Sequence, residues 1–149
     1  MLRTMKQTPV LVFDLDDTLW FYGYCVGKGK PCIVLYPMVR KLIEELAGRY
    51  ILAIASYHRG GQEILNRLGL TNYFTMIKCE PHKQWKKHTY LLEIAKSMGV
   101  SPSSVILFDD KKENISLARS VGASAIQVDP QTGLTTNNVR MALTNQRIH

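Results

Sequence analysis

The chain has 149 residues, the size of one domain with one hydrophobic core. Hydrophobic residues make up 46% and charged residues 21% of it, and no apolar run approaches the roughly 20 residues of a membrane span, which argues against a membrane-embedded protein. The net charge, 19 − 12 = +7, suits an anionic partner such as a phosphoester, a nucleic acid or an acidic protein surface, although Lys and Arg are spread along the chain and thicken only at Lys83, Lys86 and Lys87.

The opening stretch, MLRTMKQTPVLVF, has too short an apolar run for a secretion signal, and Asp14 ends it, so a cytoplasmic protein is expected. The cysteines Cys25, Cys32 and Cys79 are odd in number and match no metal-binding CxxC spacing. Cys25 and Cys32 are spaced to pair across a hairpin, but in a reducing compartment free thiols are the expectation.

Val10–Phe13, a run of apolar residues, reads as a buried strand. Pro37–Ala47 reads as a helix, with Val39, Leu42, Ile43 and Leu46 at helical spacing, Pro37 at the start and Gly48 as the stop. Tyr50–Ala55 is a second buried strand, Gly61–Leu68 a short helix ended by Gly69, and Tyr73–Lys78 a short third strand. Trp85–Met98 is helical up to Gly99, Val105–Phe108 is the next buried strand, Lys112–Val121 is helical up to Gly122, and Ala125–Val128 is a last strand. Leu134–Leu143 gives only a weak helical pattern because of its Asn and Thr content.

Continuous apolar strands alternating with amphipathic helices define an α/β fold, a three-layer Rossmann-like parallel sheet covered on both faces, over a single domain 1–149. Ligands of such sheets bind at the carboxyl ends of the strands. Asp14, Asp16 and Asp17 follow the first strand, Ser56, Tyr57 and His58 the second, and Asp109 and Asp110 the strand at 105–108. Acids from two distant segments therefore converge on one edge. Two carboxylates about 5 Å apart repel by roughly 3 kcal/mol at an effective dielectric near 20. A hard divalent cation with oxygen ligands, Mg²⁺, relieves that repulsion. His58, His82 and His88 are scattered and read as solvated or packing residues rather than ligands.

In an extended chain residues i and i+2 point the same way, so Asp14 and Asp16 can address one substrate while Leu15 faces the core. One carboxylate can attack phosphorus; the other can protonate the leaving oxygen and then activate water. Thr18 can orient the turn. The FYGYCVGKGK segment, with its glycines and aromatics, reads as a hairpin flap over the site, about residues 20–36. Trp20 and Tyr22 on it can stack on a substrate ring or pack within the hairpin.

These residues resemble the haloacid dehalogenase superfamily of phosphohydrolases. Its first motif, DxDx[TV] after a hydrophobic strand, matches Asp14-Leu15-Asp16-Asp17-Thr18; its second, a Ser or Thr ending the next strand, matches Ser56; its fourth, an acidic pair after a later strand, matches FDDKKEN at 108–114. FDLDDTLW, LYPMV, the Tyr73-Phe74 pair and LFDDKKENI look most like the magnesium-dependent phosphatase-1 group. The resemblance implies a Rossmann-like core with no large cap domain. It implies Asp14 as a nucleophile forming a phosphoaspartyl intermediate and Asp16 as general acid/base. It implies Mg²⁺ held by Asp14, the Asp16 carbonyl and Asp110, and Ser56 and a lysine on the phosphate. Asp109 and Asn114 fall in the outer shell, with Thr18. Lys87, 22 residues before Asp109, is the preferred lysine, and Lys83 and Lys86 compete for the same role. The subgroup has Arg after the Ser of the second motif; here Tyr57, His58 and Arg59 follow, so Arg59 would serve from a shifted position, and Asp17 stands where the subgroup often has an aromatic.

The implied activity is Mg²⁺-dependent hydrolysis of a phosphomonoester, on a phosphotyrosyl protein or phosphosugar-type substrate. The rivals are a nucleic-acid end phosphatase on the same fold, a catalytically silent module that binds phosphorylated partners, and a phosphorelay receiver. A receiver would place its acid pair first in the chain, whereas here DxDxT comes first.

Overall fold

The computed structural model describes residues 8–24, 31–79 and 86–148. The elements run β1 (Val10–Phe13), β2 (Trp20–Tyr24), β3 (Pro31–Leu35), α1 (Val39–Ala47), β4 (Ile51–Ala55), α2 (Gly61–Leu68), β5 (Met76–Lys78), α3 (Lys87–Met98), β6 (Val105–Asp109), α4 (Lys112–Ser120), β7 (Ser124–Gln127) and α5 (Thr136–Ile148). Strands β5, β4, β1, β6 and β7, in that order, form one sheet whose pairings are all parallel. β2 and β3 form a separate antiparallel hairpin, with Trp20 opposite Leu35 and Tyr24 opposite Pro31.

Alternation along each buried strand builds the three layers. Leu11, Phe13, Leu52, Ile54, Ile106 and Phe108 face one side, where α1, α2 and α5 supply Val39, Ile43, Leu65 and Val139. Val10, Val12, Ala53, Val105 and Leu107 face the other, against Tyr90, Leu91 and Ile94 of α3 and Ile115 and Ala118 of α4. Both faces of β1 are thus dry, which is why its sequence is apolar at every position rather than at alternate ones. Phe13 and Phe108 stack across the β1–β6 pair at 5.1 Å with 14° between their planes. Burying such side chains stabilises by about 1.5–3 kcal/mol each.

Gly48 ends α1 in a right-handed conformation, with φ of −74°, whereas two other stops turn left-handed. Gly69 and Gly99 end α2 and α3 with φ of 71° and 68°, the left-handed conformation that costs glycine no Cβ clash. α1 begins at Val39, after Pro37, and α3 at Lys87 rather than Trp85, which lies outside the described residues. The expected third strand shortens to β5 because Thr71–Tyr73 closes into a 3₁₀ turn. α5 runs to Ile148, past the expected Leu143, because Val139 and Ala142 bury a stripe that its polar composition disguised.

Two expectations change. Trp20 is fully buried within the apolar core, so its ring has no open face for a substrate to stack on. Cys32 is disulfide-bonded, not reduced; it lies on a hairpin arm, where cross-strand neighbours come within reach of a sulfur. Cys79 is buried and forms no disulfide. Cys25, His82 and Lys83 lie outside the described residues. Among the described residues no helix is long and apolar enough to cross a membrane.

Candidate active site

The carboxyl ends of β1, β4 and β6 lie side by side, and each delivers polar residues to the same edge. Asp14 follows β1, its backbone N–H donating to the Phe108 carbonyl at 3.0 Å, so the sheet ladder itself fixes its position. Asp109 is the last residue of β6, fully buried, and Asp110 follows it, half-buried. Asp14, Asp109 and Asp110 offer carboxylate oxygens within 4.8 Å of one another.

Lys87, the first residue of α3, is fully buried beneath this cluster. Its Nζ lies 3.2 Å from Asp14 Oδ1 and 3.1 Å from Asp109 Oδ2, and donates to the Ala55 carbonyl at 2.6 Å. It also lies 4.9 Å from the centroid of the Tyr57 ring, a cation–π contact. Lys86, the adjacent rival, is exposed. Burial works against the charge of Lys87, but Asp14 and Asp109 outweigh it and raise its pKa, so it stays an ammonium.

Asp109 has its oxygens fully engaged. Oδ1 accepts from the Lys111 backbone N–H at 2.9 Å, and Oδ2 accepts from Asn114 Nδ2 at 3.1 Å as well as from Lys87. Asn114 therefore serves Asp109, not Asp110, although it stands four residues beyond the latter. Asp14 is pushed up to about 7, chiefly by burial and further by the charge of Asp109, against the opposing pull of Lys87. Asp110 is also raised, by burial first and then by Asp109.

The donor set fits a hard cation. It contains carboxylate oxygen only, and with all three carboxylates ionised against one ammonium 3 − 1 = 2 negative charges remain, the charge of one divalent ion. Asp109 carries three contacts to protein donors and Asp14 one, so Asp14 keeps more open oxygen positions than Asp109.

Asp16 lies outside that cluster, paired differently. Trp20 Nε1 donates to its Oδ1 at 2.9 Å, and His58 Nδ1 lies 2.9 Å from both of its oxygens. His58 is the contributor that sequence reasoning passed over; the one signal was its place two residues after Ser56, in the loop leaving β4. Ser56 is buried, and its Oγ accepts from the His58 backbone N–H at 3.1 Å. Asp17 holds φ at 62°, left-handed, and so turns the chain sharply: its N–H donates to Trp20 O at 2.7 Å while the Thr18 N–H donates to Leu15 O at 3.1 Å. Asp adopts that conformation more readily than most non-glycine residues. Thr18 is buried, its carbonyl accepts from the Leu134 N–H at 2.8 Å, and its Oγ1 has no partner among the described residues. It pins the turn through its backbone rather than its hydroxyl. Tyr22 is 57% exposed on the hairpin, and its hydroxyl comes 3.5 Å from His58 Nδ1. Arg59 is exposed at the turn before α2.

A parallel three-layer α/β sheet gathers its ligand site at the carboxyl edge of the strands, where this acidic cluster and buried lysine lie. The sequence model of haloacid dehalogenase-like hydrolases matches residues 26–128, and the chain belongs to that family. Human Magnesium-dependent phosphatase 1 is 25% identical over 152 residues, covering 89% of this chain and 85% of that protein. Among solved structures, 2-haloacid dehalogenase from Pseudomonas syringae pv. Tomato DC3000 superposes with a TM-score of 0.74 at 17% identity, over 96% of this chain and 100% of that one. An uncharacterized protein from Listeria monocytogenes serotype 4b superposes with a TM-score of 0.74 at 16% identity, over 95% and 99%. These structures share the fold. The family match opens after the DLDDT segment, so Asp14 and Asp16 rest on their placement at the sheet edge.

Proposed function

We propose that the chain is a Mg²⁺-dependent phosphomonoester hydrolase working through a phosphoaspartyl intermediate. The observation that carries this reading is the buried Lys87 bridging Asp14 and Asp109 at 3.2 and 3.1 Å, with Asp110 in the same oxygen cluster. The similarity to a human protein named as a magnesium-dependent phosphatase supports it.

Asp14, Asp110 and the Asp16 carbonyl would hold Mg²⁺, which when bound neutralises charge on the phosphoryl oxygens and on the cluster. Asp14 attacks phosphorus in line, its carboxylate aimed by Lys87. Asp16 protonates the leaving oxygen, then accepts a proton from the water that attacks the acyl phosphate. The Ser56 hydroxyl binds one phosphoryl oxygen, Lys87 turns its N–H from Asp14 to another as the phosphoryl group arrives, and Asp109, itself held by Asn114, keeps Lys87 in place. Such a site supplies positioning and charge, which is most of what phosphoryl transfer needs.

A cleft of about 1080 Å³ opens between the hairpin and residues 130–137, walled by Phe21, Tyr22, Tyr36, Asp17, Pro130 and Asn137. Of the DLDDT segment only Asp17 lines it; Asp14, Asp16, Ser56, Lys87 and Asp110 do not. The test is hydrolysis of an aryl phosphate with Mg²⁺ or EDTA, for the wild type and Asp14→Asn. Activity requiring both Mg²⁺ and Asp14 is expected. Activity that survives either loss would overturn the proposal.

A further inference from the structure

Building on the phosphatase reading, we infer that His58 is a positioning residue for Asp16 and Ser56. Nδ1 of His58 lies 2.9 Å from Oδ1 and 2.9 Å from Oδ2 of Asp16, 42 positions away in the chain. The ring is held from two sides: edge-on by the buried Trp20 at 6.3 Å and 82°, and in a stack by Tyr22 at 6.2 Å and 24°. Its own backbone N–H donates to Ser56 Oγ at 3.1 Å. One residue thus touches both the candidate acid and a candidate phosphate donor.

A carboxylate on a loop turns freely unless its oxygens are fixed, and proton delivery demands a set direction. Trp20 takes one acceptor position on Oδ1, and His58 spans both oxygens from one side. Asp16 offers about four lone-pair positions, so the contacts with Trp20 and His58 together select one rotamer, and Oδ2, untouched by Trp20, is the oxygen with room for a transferable proton. Its side chain is 37% exposed, so without these contacts solvent would let it swing. At Ser56 the effect is complementary: the hydroxyl oxygen is engaged as an acceptor, so its proton points away and is free to donate to a phosphoryl oxygen.

In the first half-reaction the ester P–O bond breaks as the Asp14 O–P bond forms, and the proton on Asp16 Oδ2 passes to the leaving oxygen. In the second, a water O–P bond forms, the Asp14 O–P bond breaks, and the water proton returns to Asp16. A leaving alkoxide needs that proton as the bond breaks; a dinitrophenolate does not. Misplacing Asp16 therefore penalises alkyl esters selectively.

The experiment measures kcat/KM, which reports the first half-reaction, for an alkyl phosphate and for 2,4-dinitrophenyl phosphate. In His58→Ala the alkyl-to-aryl ratio should fall about tenfold or more. His58→Asn, whose amide N–H reaches the same region as Nδ1, should recover most of it. An equal loss on both esters, as a merely structural role would give, or no loss on either, overturns the inference. Independently of turnover, the His58 Nδ1 signal in ¹⁵N-histidine-labelled protein should shift in Asp16→Asn, and an unmoved signal overturns the contact. A wild type inactive on both esters would instead strike the phosphatase reading, while the Nδ1 signal still decides whether His58 holds Asp16.

Discussion

Lys87 and Asp14 stand 73 positions apart in the chain and meet at 3.2 Å in a site from which both are almost entirely shielded from water. The contact joins the first turn of α3 to the end of β1 across β4, whose Ala55 carbonyl takes a second bond from the same ammonium. Lys87 is thus both the support of the sheet edge and the positive charge of the site.

Removing that ammonium leaves Asp14 and Asp109 buried without compensation. Lys87→Ala should cost about 3–5 kcal/mol of stability, read from chemical denaturation, and abolish detectable phosphatase activity. Lys87→Arg should recover little of either, because a planar fork cannot reach Asp14, Asp109 and the Ala55 carbonyl as one tetrahedral ammonium does. Stability of Lys87→Ala equal to that of the wild type would contradict the charge balance described.

The raised pKa of Asp14 gives stability a definite sign with pH. Its folded value is about 7 against an ordinary 3.8, so the metal-free folded state keeps a proton that the unfolded chain gives up. This contribution is complete below about pH 4, falls by up to ~1.4 kcal/mol per pH unit as pH rises, and is gone above about pH 7. Asp110, also raised, acts in the same direction. Mg²⁺ needs both carboxylates ionised, so its effect on the melting temperature should be larger at pH 8 than at pH 5. Melting in EDTA and in millimolar Mg²⁺ at the two pH values checks this; an equal shift at both would count against it.

Asp17 carries the turn that separates Asp16 from Trp20, with φ at 62°. Asp17→Gly should leave stability within about 0.5 kcal/mol of the wild type or above it, whereas Asp17→Val should lose about 1–2 kcal/mol. Denaturation midpoints of the two variants decide it, and a Val variant as stable as the Gly variant would show that the turn does not hold that conformation.

The unpartnered Oγ1 of Thr18 makes a complementary case. Thr18→Val keeps the shape, removes a buried hydroxyl that has no hydrogen bond, and should be neutral or stabilising by about 1 kcal/mol. A loss above about 1 kcal/mol in thermal or chemical denaturation would reveal a bond that the hydroxyl makes.

How much of this was legible in the sequence depended on whether the signal was local. β1, β4 and β6 were readable because burial on both faces makes a strand apolar throughout, and α2 because Gly61 and Gly69 mark the ends of an amphipathic helix of about two turns. Asp14, Ser56, Asp109 and Asp110 converge because parallel strands put all their carboxyl ends on one edge, a rule of topology rather than of any single residue. α5 was faint because Asn137, Asn138, Thr144 and Asn145 crowd its solvent side, leaving Val139 and Ala142 as its buried stripe. Trp20 read equally as a substrate platform or a hairpin-packing residue because aromatic character alone does not say whether a hairpin folds inward; its ring joins the core and its indole N–H serves the site. His58 was invisible as a partner of Asp16 because their contact is purely tertiary, made by a loop whose path no periodicity encodes.

The most direct measurement asks whether Asp14 becomes covalently phosphorylated. Enzyme mixed with Mg²⁺ and a reactive aryl phosphate is quenched and treated with borohydride, which reduces an aspartyl phosphate to homoserine, and the peptides are read by mass spectrometry. Homoserine at position 14, absent without Mg²⁺ or substrate, is the expected result. Turnover with no homoserine at that position, or with the label on another carboxylate, would contradict the role assigned to Asp14.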